Sequence, residues 1–298
     1  MFQKAVRKKS KLRLGLTGPS GSGKTYGALL IAKALGGKVA VIDTEAGSAS
    51  MYSHLLDFDV LELKPPYSPE RFIEAIEAAA EAGYSTVVID SITAEWSGSG
   101  GCLEINEHTA QAKFRGNTWS AWNETTPRHR KFLDAILRSP CHVIATMRSK
   151  TETTQAEENG RKKVVKLGMK AEQRDGTEYE LTVVLDITHA GHYALASKDR
   201  TGLFTDTDPM PITEATGKRL LAWLESGAEP ITEVPVSNAE TVLMFLNSAA
   251  KVGSEELKRA YTDLKATPDF AGVWLAESAR LKQEAAQADE FHGTAAAA

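Results

Sequence analysis

One feature limits most strongly which folds this 298-residue chain can adopt. It is a glycine-rich loop between an apolar segment and a helical one. Residues 18–25 read Gly-Pro-Ser-Gly-Ser-Gly-Lys-Thr and satisfy G-x-x-x-x-G-K-[ST], the pattern of a phosphate-binding loop. Glycines let successive backbone N–H groups turn inward around a phosphate, because no Cβ stands in the way. Residues 12–17 have the composition of a buried strand, and residues 26–35 that of a helix. This order predicts a nucleoside triphosphate site rather than a flexible Gly/Ser linker.

The residues of the loop have separate predicted roles. Lys24 is expected to reach the β- and γ-phosphates and to act in catalysis, and the Thr25 hydroxyl is expected to ligate Mg²⁺. ATP and Mg²⁺ are therefore the expected cofactors. The predicted nucleotide-binding residues are Gly18, Pro19, Ser20, Gly21, Ser22, Gly23, Lys24, Thr25 and Tyr26.

Two further apolar segments end in an acid, residues 38–43 (KVAVID) and 85–90 (STVVID). In an open parallel sheet the carboxyl ends of the strands face the ligand. Asp90, at the second of these ends, is therefore predicted to hold Mg²⁺. Glu45 follows the first strand and can orient or deprotonate the attacking water. Judged from its position alone, Glu45 can equally be a helix cap or a surface acid.

Basic residues are concentrated between positions 148 and 174, with eight basic residues against four acidic ones in a chain of formal net charge −4. A segment of this length without periodicity is usually functional or disordered. We expect a DNA-contacting loop, with a solvated hairpin as the alternative. The predicted DNA-binding residues are Arg148, Lys150, Arg161, Lys162, Lys163 and Lys166.

Two tryptophans, Trp119 and Trp122, follow the basic residues Lys113 and Arg115. Aromatic side chains among cations suit base stacking, and packing into the core is an equal alternative. The basic tail, residues 1–11, is expected to aid solubility, with phosphate contact as the alternative.

The chain divides into four predicted parts. These are an ATPase core with the basic tail (1–226), a Pro-containing linker (227–237), a helical C-terminal module (238–290) and a disordered tail (291–298). The acidic C-terminal module is expected to bind a partner protein rather than DNA. The two cysteines form no metal or disulfide pattern, and we expect no signal peptide and no membrane span. A cytoplasmic location follows from these features.

Taken together, five segments resemble the RecA-like ATPase core: GPSGSGKT (18–25), VIDTE (41–45), VVIDS (87–91), IATMR (144–148) and SKDRTG (197–202). The resemblance implies an α/β fold, a RecA-like P-loop NTPase with a mainly parallel twisted sheet flanked by helices, plus the small C-terminal helical module. The resemblance also implies that Glu45 is the catalytic glutamate. Thr146 stands where recombinases carry a glutamine sensor. Lys198 and Arg200 resemble the pair that related ATPases insert into a neighbour's site, which implies a homo-oligomeric ring or filament.

More closely, the segments VIDTEAGSA, TMRSK and SKDRTGLF resemble bacteriophage RecA-like proteins, including a recombinase or single-strand annealing class with a minimal core. The resemblance covers about residues 10–225. It implies an ATP-hydrolysing, DNA-stimulated protein that acts on single-stranded DNA in phage recombination, annealing or repair, in the bacterial host cytoplasm. A ring-forming DNA motor of the helicase or packaging type is one alternative. A nucleotide-dependent switch or a small-molecule kinase that does not act on DNA is another.

Overall fold

The computed structural model describes residues 5–158, 161–228, 238–265 and 269–295. The chain divides into two compact units, Met1–Glu229 and Pro230–Ala298. Most of the predicted linker, residues 229–237, lies outside the described residues. Within the described ranges, no helix combines the length and the apolar character that a membrane span requires.

The first unit is built on one sheet, in which the strands follow the order β3-β2-β4-β5-β1-β7-β8-β9, with β6 paired to β5. The pairings from β3 across to β7 are parallel, whereas β7–β8, β8–β9 and β5–β6 are antiparallel. The strands are Arg13–Gly18 (β1), Val39–Asp43 (β2), Asp59–Glu62 (β3), Thr86–Asp90 (β4), His142–Glu158 (β5), Arg161–Ala171 (β6), Val183–Ile187 (β7), Tyr193–Asp199 (β8) and Met210–Pro211 (β9).

Helices connect the strands of the first unit and form all the regular structure described in the second. Those of the first unit are Lys24–Leu35 (α1), Pro69–Glu81 (α2), Thr93–Ser97 (α3), Cys102–Lys113 (α4), Thr118–Arg138 (α5), Thr177–Glu180 (α6) and Glu214–Glu225 (α7). Those of the second unit are Asn238–Ala250 (α8), Ser254–Leu264 (α9) and Phe270–Ala295 (α10). The second unit has its own core, which includes Leu246, Leu257 and Leu281.

Both faces of the sheet are buried, because successive side chains of a strand point to opposite faces. Val88 packs with α1 and α7 on one face, whereas its neighbours Val87 and Ile89 pack with α2 and α5 on the other. This is the predicted fold class: a mainly parallel α/β sheet flanked by helices, with C-terminal helices in addition. The carboxyl ends of β1, β2 and β4 meet at one edge, where the site lies.

Residues 93–122 contain α3, α4 and the start of α5, and residues 177–180 form a helical turn before β7 begins at Val183. The structure differs from the sequence-based expectations in two segments. The segment expected to be a DNA-contacting loop forms the β5–β6 hairpin, the alternative considered for it. Helix α10 continues to Ala295, into the segment predicted to be disordered.

The basic N-terminal segment packs against the first unit where the structure describes it. The Arg7 guanidinium lies 4.7 Å from the ring centroid of Trp223 and donates to the Trp223 carbonyl. Arg13 is 7% exposed and donates to the carbonyls of Leu137, Ser139 and Cys141, at and beyond the end of α5. Arg7 and Arg13 therefore make structural contacts, unlike residues of a free solubilising tail.

Candidate nucleotide-binding site

The glycine-rich loop joins β1 to α1 in a conformation that its sequence makes accessible. Gly21 and Gly23 have positive φ angles of 75° and 91°, which side chains with a Cβ rarely adopt. A Cβ on Gly18 would lie 2.7 Å from the carbonyl oxygen of Ile187. The buried Ser22 hydroxyl has no hydrogen-bond partner among the described residues. A close backbone cradle with an unpaired hydroxyl fits a phosphate ligand.

Two threonine side chains meet at the carboxylate of Asp90, at the end of β4. The Thr25 hydroxyl donates to Asp90 Oδ2 over 2.6 Å, and the Thr146 hydroxyl donates to Asp90 Oδ1. Thr146 is fully buried, and its role as a sensor stays a prediction. A hydroxyl and a carboxylate of this kind form the oxygen-only set that Mg²⁺ prefers.

Burial changes the ionisation of both charged groups in the site. It raises the pKa of Asp90, against the opposing effect of the hydrogen bonds from Thr146 and Thr25. It lowers the pKa of Lys24, against the opposing attraction of Asp90 and Glu45. The Lys24 ammonium donates to the carbonyl of Pro19 over 2.8 Å within its own loop. Bound Mg²⁺ and triphosphate would bring the countercharges that these two groups lack.

The acids that follow β2 have different partners. Asp43 accepts hydrogen bonds from the backbone N–H groups of Glu45 and Ala49, so it orders the loop after the strand. Glu45 lines the cavity, and its Oε1 accepts from Nε and Nη2 of Arg148 over 3.0 and 2.8 Å. Glu45 is therefore positioned as a candidate base, and Arg148 holds its carboxylate.

The loop opens onto a cavity of about 670 Å³, which accommodates a nucleotide. Five of the residues that line its outer walls are Tyr26, on α1, and Met51, Tyr52, His192 and Ile212, which come later in the chain. Of these, only Tyr26 is predicted from the sequence. The rings of Tyr26 and Tyr52 meet edge to face with centroids 5.9 Å apart, and His192 Nδ1 lies 3.1 Å from the Ser22 carbonyl oxygen. No local sequence signal marks the other four, because tertiary packing brings them to the loop.

The predicted DNA-binding residues are separated by the structure. Arg148 lies in the nucleotide cavity, and Lys150 is 3.9 Å from the Glu172 carboxylate at the base of the β5–β6 hairpin. The remaining four, Arg161, Lys162, Lys163 and Lys166, lie along β6, where only the backbone is described. Their DNA contacts, and those of Arg148 and Lys150, stay predictions.

The residues predicted to act on a neighbouring subunit lie outside this cavity. Lys198 donates to the carbonyls of Glu178 and Tyr179, and Arg200 donates to that of Tyr179 over 2.7 Å. Burial lowers the pKa of Lys198, and the nearby Arg200 adds to the effect. Both cations are thus held against α6.

A second polar cluster consists of Glu95 on α3, Cys102 on α4 and His129 on α5, and all three residues are buried. The Cys102 thiol donates to Glu95 Oε1 over 3.0 Å, and His129 Nδ1 lies 3.1 Å from the same oxygen. Burial, together with the charge of Glu95, raises the pKa of the Cys102 thiol. The three side chains therefore form a buried hydrogen-bonded network.

The comparisons with known proteins agree with this site. A sequence model of the family described as the AAA domain matches residues 10–221. The matched segment contains the glycine-rich loop, Glu45, Asp90 and the β5–β6 hairpin. Comparison with curated proteins found no match.

Proposed function

Because the chain belongs to the AAA domain family within the P-loop NTPases, its core is a nucleotide-binding ATPase domain, and we propose that single-stranded DNA stimulates its ATP hydrolysis. The path of β5 is the observation that supports this proposal. The strand brings Thr146 to Asp90 and Arg148 to Glu45, and then continues into the hairpin that carries the basic residues. One strand therefore connects the nucleotide site to the proposed DNA contact.

In the proposed hydrolysis, the backbone of the loop and Lys24 bind the phosphates of ATP. Thr25 and Asp90 would hold Mg²⁺, which when bound neutralises charge on the β- and γ-phosphates. Glu45 orients the attacking water and accepts its proton. Glu45→Gln should retain nucleotide binding and lose turnover, whereas Lys24→Ala should lose both.

The contact between Arg148 and Glu45 supports a specific form of coupling. While Arg148 holds the Glu45 carboxylate, this base is not free to orient water. In the proposal, DNA bound at the hairpin displaces the end of β5 and releases Glu45. Turnover is then fast only when DNA is present.

Action in trans belongs to the same proposal. Lys198 and Arg200 lie outside the cavity of their own chain, as a pair that serves a neighbouring subunit must. In the proposal, the two side chains release the carbonyls of α6 and neutralise γ-phosphate charge on the neighbouring subunit. Arg200→Ala chains should be inactive alone and should regain activity when they are mixed with Glu45→Gln chains. A role in phage recombination, annealing or repair rests on the resemblance in sequence.

The deciding experiment measures ATP hydrolysis by the full chain with and without single-stranded DNA, at low and at moderate salt. The test variant neutralises Arg161, Lys162 and Lys163 to alanine. The control neutralises the same residue types in α9 and at its C-cap: Lys258, Arg259 and Lys265. We expect stimulation that fades with salt, is lost in the test variant and persists in the control.

The salt dependence gives a magnitude. Each phosphate contact to single strands contributes about 0.7 to the slope of log affinity against log salt, so the test variant should lower the slope by roughly 2. Hydrolysis that is indifferent to DNA, without binding at low salt, would overturn the proposal in favour of a switch or kinase. Strand separation or translocation would instead indicate a motor.

A further inference from the structure

Residues of α3 and α5, together with Arg174, line a cleft of about 540 Å³ whose wall is aromatic and cationic. Three of its wall residues are tryptophans, and two are arginines. Among the described residues that line it, none is an acid. The lining includes Trp96, Trp119, Trp122, Arg130 and Arg174.

The tryptophans divide into a packed pair and an exposed one. The rings of Trp96 and Trp122 stack with centroids 5.5 Å apart and an interplanar angle of 17°. Trp119 lies one turn before Trp122 on α5 and is 85% exposed. An indole this exposed, beside two others and two arginines, is typical of an interaction surface. It leaves an open aromatic face for a ligand.

The inner wall of the cleft is rigid. Trp96 packs edge to face on His129 with centroids 5.8 Å apart, and His129 Nδ1 lies 3.1 Å from Glu95 Oε1. Gln173 donates to Glu95 over 3.3 Å. The buried cluster thus fixes Trp96, at the base of the aromatic wall.

The cleft also carries two cations. The Arg174 guanidinium is 5.3 Å from the ring centroid of Trp122 and donates to Thr126 over 3.0 Å. Arg130 is exposed on α5, eight residues after Trp122. Arg174 also follows the end of the basic strand β6 by three residues. The polypeptide segment that follows the hairpin therefore leads directly to the cleft.

We propose that this cleft is the base-stacking site for single-stranded DNA: a nucleobase stacks on Trp119, and adjacent phosphates contact Arg130 and Arg174. Aromatic faces accept every base, so the site should tolerate all sequences. The proposal rests on the proposed DNA function and assigns to it a second contact, separate from the cations of β6.

The test titrates the full chain with a 25-nucleotide oligothymidylate and follows tryptophan fluorescence and anisotropy. Trp119→Ala should weaken binding roughly 5- to 150-fold, the range of one lost stacking contact. Trp119→Phe should restore most of the affinity. Leu275→Ala, at a residue 86% exposed in the second unit, is the control that should not change it. Arg130→Gln should reduce the salt slope by about 0.7.

An oligomer of the same length without bases separates stacking from a structural effect. It should bind the wild type weakly and Trp119→Ala equally weakly, because neither pair can stack. If Trp119→Ala binds oligothymidylate like the wild type, while the Arg161, Lys162 and Lys163 variant does not, the cleft is not the site and the DNA function stands. If the wild type binds no DNA at low salt, both proposals fail.

Discussion

Replacing Thr146 by valine removes one hydroxyl from the buried carboxylate of Asp90 and preserves the branched shape of the side chain. Thr146 is 0% exposed and Asp90 is 1% exposed, so water cannot replace the lost donor. A hydrogen bond to a charged group contributes about 1.5–3 kcal/mol to stability. We therefore expect Thr146→Val to lower the free energy of unfolding by that amount. For a unit of this size it corresponds to roughly 3–12 °C in Tm.

The penalty should depend on pH in a defined direction. Burial raises the pKa of Asp90 above its ordinary value of 3.8. The Thr146 hydroxyl favours the ionised carboxylate, so its removal raises that pKa further. The cost of the substitution is then largest at neutral pH and declines as the pH falls through the pKa of Asp90, where the carboxyl group becomes neutral.

Denaturant unfolding followed by tryptophan fluorescence measures this penalty, because Trp96, Trp119, Trp122 and Trp223 lie in the first unit. Thr146→Ser is the matched control: it retains the hydroxyl and should lose only about 1 kcal/mol for the deleted methyl group. In an Asp90→Asn background, Thr146→Val should cost less than in the wild type. A cost that is equal at every pH and in both backgrounds would refute the reasoning. Normal stability with slower hydrolysis would instead support a sensor that contacts nucleotide.

Three further substitutions and one labelling experiment test other contacts of the core. Asp90→Asn should raise the stability of the nucleotide-free protein at neutral pH, measured by thermal unfolding across pH. The reason is that a raised pKa gives stability that is present below 3.8 and is lost as pH rises through the folded value. Arg148→Ala should free the carboxylate of Glu45, the proposed base, and raise DNA-free hydrolysis about 2- to 5-fold, as expected for a partly exposed ion pair. Arg13→Met should destabilise the core by about 1–3 kcal/mol for each buried carbonyl that it leaves unpaired, as measured by denaturant unfolding. Cys102 and Cys141 are both buried, so a thiol reagent should label neither before unfolding.

Each of these expectations has a result that contradicts it. The prediction for Asp90→Asn is wrong if the variant is less stable than the wild type at neutral pH. The prediction for Arg148→Ala is wrong if DNA-free turnover is unchanged and only DNA affinity falls, since Arg148 would then be a DNA contact. Arg13→Lys is the control for charge without the guanidinium fork and should recover only part of the stability. Labelling of Cys102 in native protein would contradict the closed network around Glu95.

The parts of the site that local sequence determines could be predicted. The glycine-rich loop is a continuous motif, and its positive φ angles at Gly21 and Gly23 follow from the residues that occupy them. Asp90 was placed correctly at a strand end because β4 is an apolar β-branched run with a single acid after it. Such features depend on neighbouring residues, so periodicity and composition are enough to find them.

The parts that depend on distant residues could not be predicted. Arg148 contacts Glu45 across 103 positions, a pairing that only the register between β5 and its neighbours establishes. No local signal gave Arg13 a partner, yet from its position in β1 its guanidinium reaches the end of α5. The hairpin was predicted as a loop because its polar strands lack the apolar alternation of a half-buried sheet.

The register of β5 also bears on how DNA can influence hydrolysis in the proposed function. Thr146 and Arg148 are two residues apart and so share one face of the strand. Thr146 lies within the segment that pairs with β1, whereas Arg148 pairs with Gly18, the last residue of that ladder. Beyond Ser149, β5 pairs only with β6. A displacement that starts in the hairpin therefore reaches Arg148, at the end of the parallel ladder, before it reaches Thr146. In the proposed function, a threonine in place of the sensor glutamine is then compatible with coupling, because Arg148 would transmit the displacement.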